Sequence, residues 1–322
     1  MPINETLSQY SDWSFESAFA IYVLAFVLLI AQYASARATA VQEKELVGSG
    51  GPVAREGVPG RVVETPKRPL SERLSGMGFA LLILGLVLHI ASVVLRGFAT
   101  ERFPLGNMYE FVAMATAAAA LTSILLLRKR SMRPMLVFVL APIIVLMFLA
   151  ATMLYADAAP VVPALRSFWL PIHVTIVSVG SGIFLVSGVA SLLFLLRIKQ
   201  EAGSESAGFW GRFGSKLPDA QALDRLAYKT TIIAFPLFGA GVILGAIWAE
   251  AAWGRFWGWD PKETMSFITW IIYAAYLHAR ATAGWRNTRA AWINIAGFTA
   301  MLFNLFIINM VVSGLHSYAG LN

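Results

Sequence analysis

Residues 77–96 read MGFALLILGLVLHIASVVLR, and only His89 and the terminal Arg96 among these twenty can carry a charge. About 20 apolar residues in a helix cross the hydrocarbon core of a bilayer, so this run is read as a transmembrane helix. Working outward from it, seven further stretches have the same character, at roughly 15–35, 108–127, 135–155, 172–196, 231–249, 265–280 and 292–312. The whole chain agrees with that reading: 58% of its 322 residues are hydrophobic and 13% charged, where an ordinary globular chain is about one-quarter charged. Too little polar surface exists to cover a water-soluble particle. The expected fold class is therefore all-α, a polytopic integral membrane bundle of about eight transmembrane helices.

Two long polar connections interrupt the spans, at roughly 37–75 and 197–230. The first contains GSGGPVAREGVPGRVVETPKRP, rich in Gly, Pro and charge, and reads as a flexible linker between an N-terminal anchor at 1–36 and the main membrane domain at 76–322. Charge sets the orientation. With the N-terminus outside, 20 of the 25 Lys and Arg fall in inner segments and five in outer ones, a strong positive-inside bias that puts both termini outside. The net charge of +7 then belongs to inner loops facing the bilayer, and no nucleic-acid partner is implied. YASARATA at 33–40 offers a signal-peptidase-like site, but residues 1–16 carry Glu5, Asp12 and Glu16 and no basic residue, the reverse of a signal n-region. The first span is read as a retained anchor. Cysteine is absent, which excludes disulfides, thiolate metal sites and thiol redox chemistry by this chain. No nucleotide-binding or EF-hand pattern occurs.

The most informative outer segment, with its flanks, is GAIWAEAAWGRFWGWDPKETMSFITW at 245–270. Trp248, Trp253, Trp257 and Trp259 fall within twelve residues, ahead of Asp260 and Pro261. Tryptophan gathers wherever helices meet the membrane interface, and one or two per helix end make an aromatic belt. Four interleaved with Gly254 and Gly258 also describe a surface for a large flat apolar ligand. The residues alone leave both readings open.

WGRFWGWDPKETMSFITW resembles the tryptophan-rich WWD signature of haem-handling proteins of cytochrome c biogenesis. WDPKET followed by SFITW, the chain length, and RFPLGNMYEF at 102–111 are most similar to the CcsA (ResC) family of System II. The likeness runs from about residue 77 to the end, with the WWD loop at about 248–264. The first span and its linker look like an addition to the family pattern.

Four histidines can be placed against the membrane. His173 opens the fifth span on the outer side, and His316 lies just beyond the outer end of the eighth. Two neutral imidazoles beside an aromatic shelf meet the need of six-coordinate haem, and in the family two outward-facing histidines flank the WWD loop and hold haem. His278 lies about 27 Å along a helix from Asp260, near the inner end of its span. The resemblance gives it a further haem-ligating role inside the membrane, although a helix-end histidine can also simply cap carbonyls. His89 sits in the outer half of the second span and is expected to be packed and hydrogen-bonded.

Haem propionates need cationic partners, and Arg255 and Lys262 within the Trp loop are the expected ones. Asp260 is expected to position the loop or orient a ligand. Asn107, Tyr109 and Glu110 are expected to fix the outer mouth through hydrogen bonds, and Gly241 with Gly245 to mark close helix packing. Trp13, Trp169 and Trp292 read as belt residues.

The resemblance implies a haem delivery and attachment component of a membrane holocytochrome c synthase in the bacterial cytoplasmic membrane. It would hold haem b at the outer face, against Trp253, Trp257 and Trp259, for thioether bonding to the CxxCH thiols of apocytochrome c. It also implies a CcsB/ResB membrane partner, and a thiol reductant protein to keep those thiols reduced. Two other classes compete: a bis-histidine haem electron carrier, whose histidines should pair at matched depths, and a small-solute permease with a Trp lid.

Overall fold

The computed structural model describes residues 3–48, 69–161, 165–201, 214 and 217–316. Among them the expected helices are all present: α1 Glu5–Gly48, α2 Leu70–Thr100, α3 Met108–Leu127, α4 Leu136–Thr152, α5 Trp169–Glu201, α6 Ala220–Trp253, α7 Pro261–Ala281 and α8 Thr288–Phe303. No strand occurs among the described residues. Seven of the eight helices are long and apolar enough to cross a membrane, making this an integral membrane protein. The remaining one, α7, has 21 residues, a spanning length, but one of its faces is polar.

Two boundaries differ from expectation. Helix α1 runs to Gly48, twelve residues beyond the expected end of the anchor, so the first part of the proposed linker is helical. Residues 49–68 of that linker lie outside the described residues, and its last part, 70–75, already belongs to α2. In the second connection, α5 continues to Glu201 and α6 starts at Ala220, where Asp219 caps it by accepting the Ala222 N–H at 2.7 Å.

Helix α5 is the axis of the bundle and its most enclosed span, packed between α3, α6 and α8. Small residues make that approach possible: Ala113, Ala115, Ala117, Ala119 and Ala120 are all buried on α3, and small side chains let helix backbones come close inside a bilayer. The N-terminal span is an integral part of this packing. Phe15, Ala18, Tyr22, Ala25 and Leu29 of α1 are buried in the same core as α3–α6.

The loops 101–107, 153–161 and 254–260 and the residues after α8 share one end of the bundle, here called the site end. A buried ionic cluster fastens it. The Glu110 carboxylate accepts from Arg96 Nε at 3.2 Å, from Arg102 Nη1 and Nη2 at 2.9 Å each, and from the Gly106 N–H at 2.6 Å. Arg96 also pairs with Asp12 of α1 and donates to the Ala156 carbonyl. Asn107 caps α3 through the Glu110 N–H at 2.9 Å. The expected structural role of Asn107 and Glu110 is thus met.

Removing one partner from a buried ion pair strands the other charge and costs about 3–5 kcal/mol. Glu110→Ala is accordingly expected to lower the unfolding temperature of the purified protein sharply. Arg130→Ala, which breaks the exposed Arg130–Glu72 pair, should cost at most about 1 kcal/mol. Thermal melts of the two variants in the same detergent make the comparison.

Candidate functional site

The site forms where α5 meets α6 and where the chain returns after α8. His173 lies in the second turn of α5, and its Nδ1–H donates to the Gly241 carbonyl of α6 at 2.7 Å. One turn further along α6, a Cβ on Gly245 would stand 2.6 Å from His173 Cε1, so only glycine leaves room for the ring. The Gly241–Gly245 pair is close packing, as its spacing implied, and what it receives is the histidine. The His173 ring stacks on Trp248, with centroids 6.0 Å apart and planes 12° from parallel.

The tryptophan loop is built by its caps. Gly254, at φ +71, ends α6 in the left-handed conformation that favours glycine. Asp260 caps α7 by accepting the Lys262 N–H at 3.2 Å, and Glu263 reaches back to the N–H groups of Gly258 and Asp260 at 2.9 and 3.1 Å. This is a reciprocal capping box with Pro261 at the first helical position. The same Asp260 carboxylate accepts the Leu315 N–H at 2.7 Å and the His316 Nδ1–H at 2.8 Å. It therefore draws the segment after α8 onto the loop. Trp248 and Trp253 complete the setting of His316, at centroid distances of 5.9 and 5.3 Å.

His173 and His316 both line one cavity of about 1180 Å³, counted with its open mouth. Its walls are mainly apolar and aromatic, from Met108 and Phe111 of α3 and from Trp248, Trp253 and Trp257. Its polar groups are few. Lys262 lines it and donates from Nζ to Asn309 Oδ1, and Asn309 Nδ2 reaches Met108 Sδ at 3.2 Å. Asn309 faces inward because α8 ends in a π-helical turn, Asn304–Ile308. A turn that closes after five residues brings Asn304 and Asn309 to one side, and such turns recur at functional sites.

Burial lowers the pKa of His316, opposed by its bond to Asp260, so the ring is neutral at neutral pH. Burial pushes the Asp260 carboxyl up, but its hydrogen bonds with His316 and Leu315 outweigh this and hold it below the usual carboxylate range.

The expected site residues thus divide. The structure gathers His173, His316, Trp253, Trp257 and Lys262 around one cavity and sets Asp260 behind His316. Trp259 lies outside: at φ +58 it turns away and is 67% exposed. Arg255 is absent from the lining and folds against Gly258. His278 is exposed on α7, away from the cavity. His89 is fully buried between Phe15 and Tyr22, and neither ring nitrogen meets a partner in hydrogen-bonding geometry. It is packed as expected, with the backbone of Ala113 on α3 as its nearest polar neighbour. Sequence reasoning missed the central place of Trp248, which touches both site histidines; its only signal was membership of the Trp cluster.

Residues 105–316 match the family model described as Cytochrome C assembly protein. Curated relatives named cytochrome c biogenesis protein CcsA include that of Parasynechococcus marenigrum (strain WH8102). It is 35% identical over 269 residues, covering 77% of this chain and 88% of the relative. The chain belongs to the CcsA family. The CcsA of Guillardia theta is 32% identical over 261 residues, covering 76% and 86%, and that of Chlamydomonas reinhardtii 35% identical over 256, covering 76% and 68%. Among solved structures, one titled cytochrome c heme lyase CcmF superposes with a TM-score of 0.62 over 95% of this chain and 47% of that one, at 17% identity. That likeness is one of fold.

Trp248→Ala removes the wall shared by both histidines, and a buried aromatic cut to Ala costs about 3–5 kcal/mol. It is expected to abolish cytochrome c assembly in cells while the protein still inserts in the membrane. Trp259→Ala, exposed and outside the cavity, should retain most assembly. Holocytochrome yield per unit of membrane-inserted protein is the readout.

Proposed function

We propose that this CcsA-family protein binds haem b as a substrate between His173 and His316, and presents it for attachment to apocytochrome c. One observation carries the reading: two imidazoles from distant parts of the chain converge on one aromatic-walled cavity, each held through Nδ1. With Nδ1 committed, Nε2 is the ring nitrogen with which each would ligate iron, the arrangement that a hydrogen bond at the other ring nitrogen imposes at histidine metal sites. The donor set fits the group. Two neutral histidines suit six-coordinate haem, Trp253 and Trp257 offer flat apolar surface, and Lys262, whose pKa burial lowers to about 7, offers an amine that a propionate would hold in its charged form.

The contribution of the chain is positioning. Asp260 fixes the orientation and tautomer of His316, and the Gly241 carbonyl does the same for His173. The aromatic walls would exclude water from a porphyrin bound there. Haem supplies the vinyl groups. Each of the two thioether bonds would join one haem vinyl group to one thiol of the CxxCH segment of the apocytochrome, since this chain has no cysteine. A thiol reductant protein keeps those thiols reduced, and a CcsB/ResB-type membrane protein completes the synthase. His278 fits this scheme only as a contact with that partner, because its ring is exposed on α7 and lies off the cavity. An electron carrier with haem between His89 and His278 is disfavoured, as one ring is buried against α1 and the other exposed on α7.

The site end is assigned to the outer face of the bacterial cytoplasmic membrane by the 20-to-5 distribution of basic residues. A reporter within 205–215 should then report cytoplasm and one after Asn322 the outside; the opposite pattern overturns the orientation. His173→Ala and His316→Ala should each abolish cytochrome c maturation in cells, and added imidazole should restore part of it by filling the vacated position. Full maturation in both variants would contradict the proposal.

A further inference from the structure

The axis helix α5 opens to its surroundings at one place. Among its described residues only Leu192 and Lys199 are exposed, and both line a second cavity. This groove, about 1580 Å³ counted with its open mouth, lies over α5 between α4 and α8, at the end of the bundle opposite His173 and His316. Phe138 and Pro142 of α4 form one bank, and Trp292 and Phe298 of α8 the other.

Its length is that of one leaflet. The lining runs from Val189 to Lys199 on α5 and from Thr288 to Phe298 on α8. Ten intervals of helix on each rise about 15 Å, half the ~30 Å hydrocarbon core of a bilayer. The deep end closes there, where the Phe298 ring sits so close to Gly188 that a Cβ would collide with it. A transmembrane helix needs a contact face through both leaflets, whereas an acyl chain needs only one.

The other end of the groove is polar and cationic. Lys199 and Thr288 line it, and the exposed Trp292 follows Thr288 by one turn of α8; tryptophan favours the headgroup level. The connections on either side, 128–135 before α4 and 282–292 leading into α8, hold six Lys and Arg and no Asp or Glu. One of the six, Arg130, pairs with Glu72 of α2. Basic residues clustered at a membrane surface attract anionic lipid headgroups.

We propose that this groove is a binding site for one phospholipid with an anionic headgroup. An acyl chain lies along α5 from Lys199 towards Val189, and the headgroup phosphate meets Lys199 and the Thr288 hydroxyl. The lipid covers the exposed stretch of α5 and joins α4 to α8 on that side. The proposal does not depend on what His173 and His316 bind.

Native mass spectrometry of the full-length protein, released from nanodiscs of equal parts phosphatidylglycerol and phosphatidylcholine, tests it. Wild type should retain one phosphatidylglycerol at several-fold higher occupancy than phosphatidylcholine. Lys199→Gln should remove most of that preference, and Leu192→Trp, which puts a ring into the groove, should lower retention of either lipid several-fold. Arg73→Gln, which removes an exposed charge of α2 at the same end of the bundle, should behave as wild type. Equal retention of the two lipids by wild type, or an unchanged adduct in Leu192→Trp, overturns the proposal. So does an equal loss in Arg73→Gln and Lys199→Gln, since the preference would then belong to surface charge in general. A photoreactive amino acid in place of Leu192 separates lipid from protein. In intact membranes it should give lipid adducts, and a protein-sized crosslinked product would assign the groove to a partner's transmembrane helix and overturn the proposal.

Discussion

A single carboxylate holds the site together. Asp260 starts α7, fixes the His316 ring and takes the Leu315 N–H, so the Trp loop and the segment after α8 meet through one group. Gly314 makes the approach possible, since a Cβ there would lie 2.6 Å from Asp260 Oδ1. Its hydrogen bonds outweigh the cost of burying the charge, and the carboxyl consequently stays ionised. Without this tie His316 would lose the carboxylate that holds its Nδ1, and the segment after α8 would lose its bond to the Trp loop.

The second histidine is held by different means. His173 depends on a smooth stretch of α6 and a backbone carbonyl rather than on a charge. The two imidazoles are therefore unequal: one hydrogen-bonds a carboxylate, which strengthens a ring as a ligand, and the other an amide oxygen. Trp248 contacts both and keeps them in register. The buried Arg96–Glu110–Arg102 cluster supports the opposite wall by holding residues 105–108 at the mouth.

Spans were legible because a bilayer demands about 20 apolar residues, whatever the packing. Even α7, with its polar stripe, keeps an apolar stretch at 265–280 that marks it as a span. The extension of α1 to Gly48 was not legible, because nothing apolar marks residues 37–48 and the nearby Gly and Pro signalled a linker. At the site, His173 and His316 could be placed on one side by counting spans, whereas the partner of each ring is a tertiary fact. Trp259 is next to Trp257 in the loop, but its left-handed backbone sets it outside the cavity lining, which no sequence pattern marks. Trp248 was passed over for the converse reason: it lies within a span, and only the contact of α5 with α6 makes it central.

The central claim is that His173 and His316 would both hold the iron of a haem bound in the cavity. The absorption and electron paramagnetic resonance spectra of purified, haem-loaded protein test it most directly. Wild type should show six-coordinate low-spin haem, and His173→Ala and His316→Ala should each convert it to a high-spin form that returns to low spin on adding imidazole. A low-spin spectrum unchanged in both variants would contradict the account, because the iron would then be held by other residues.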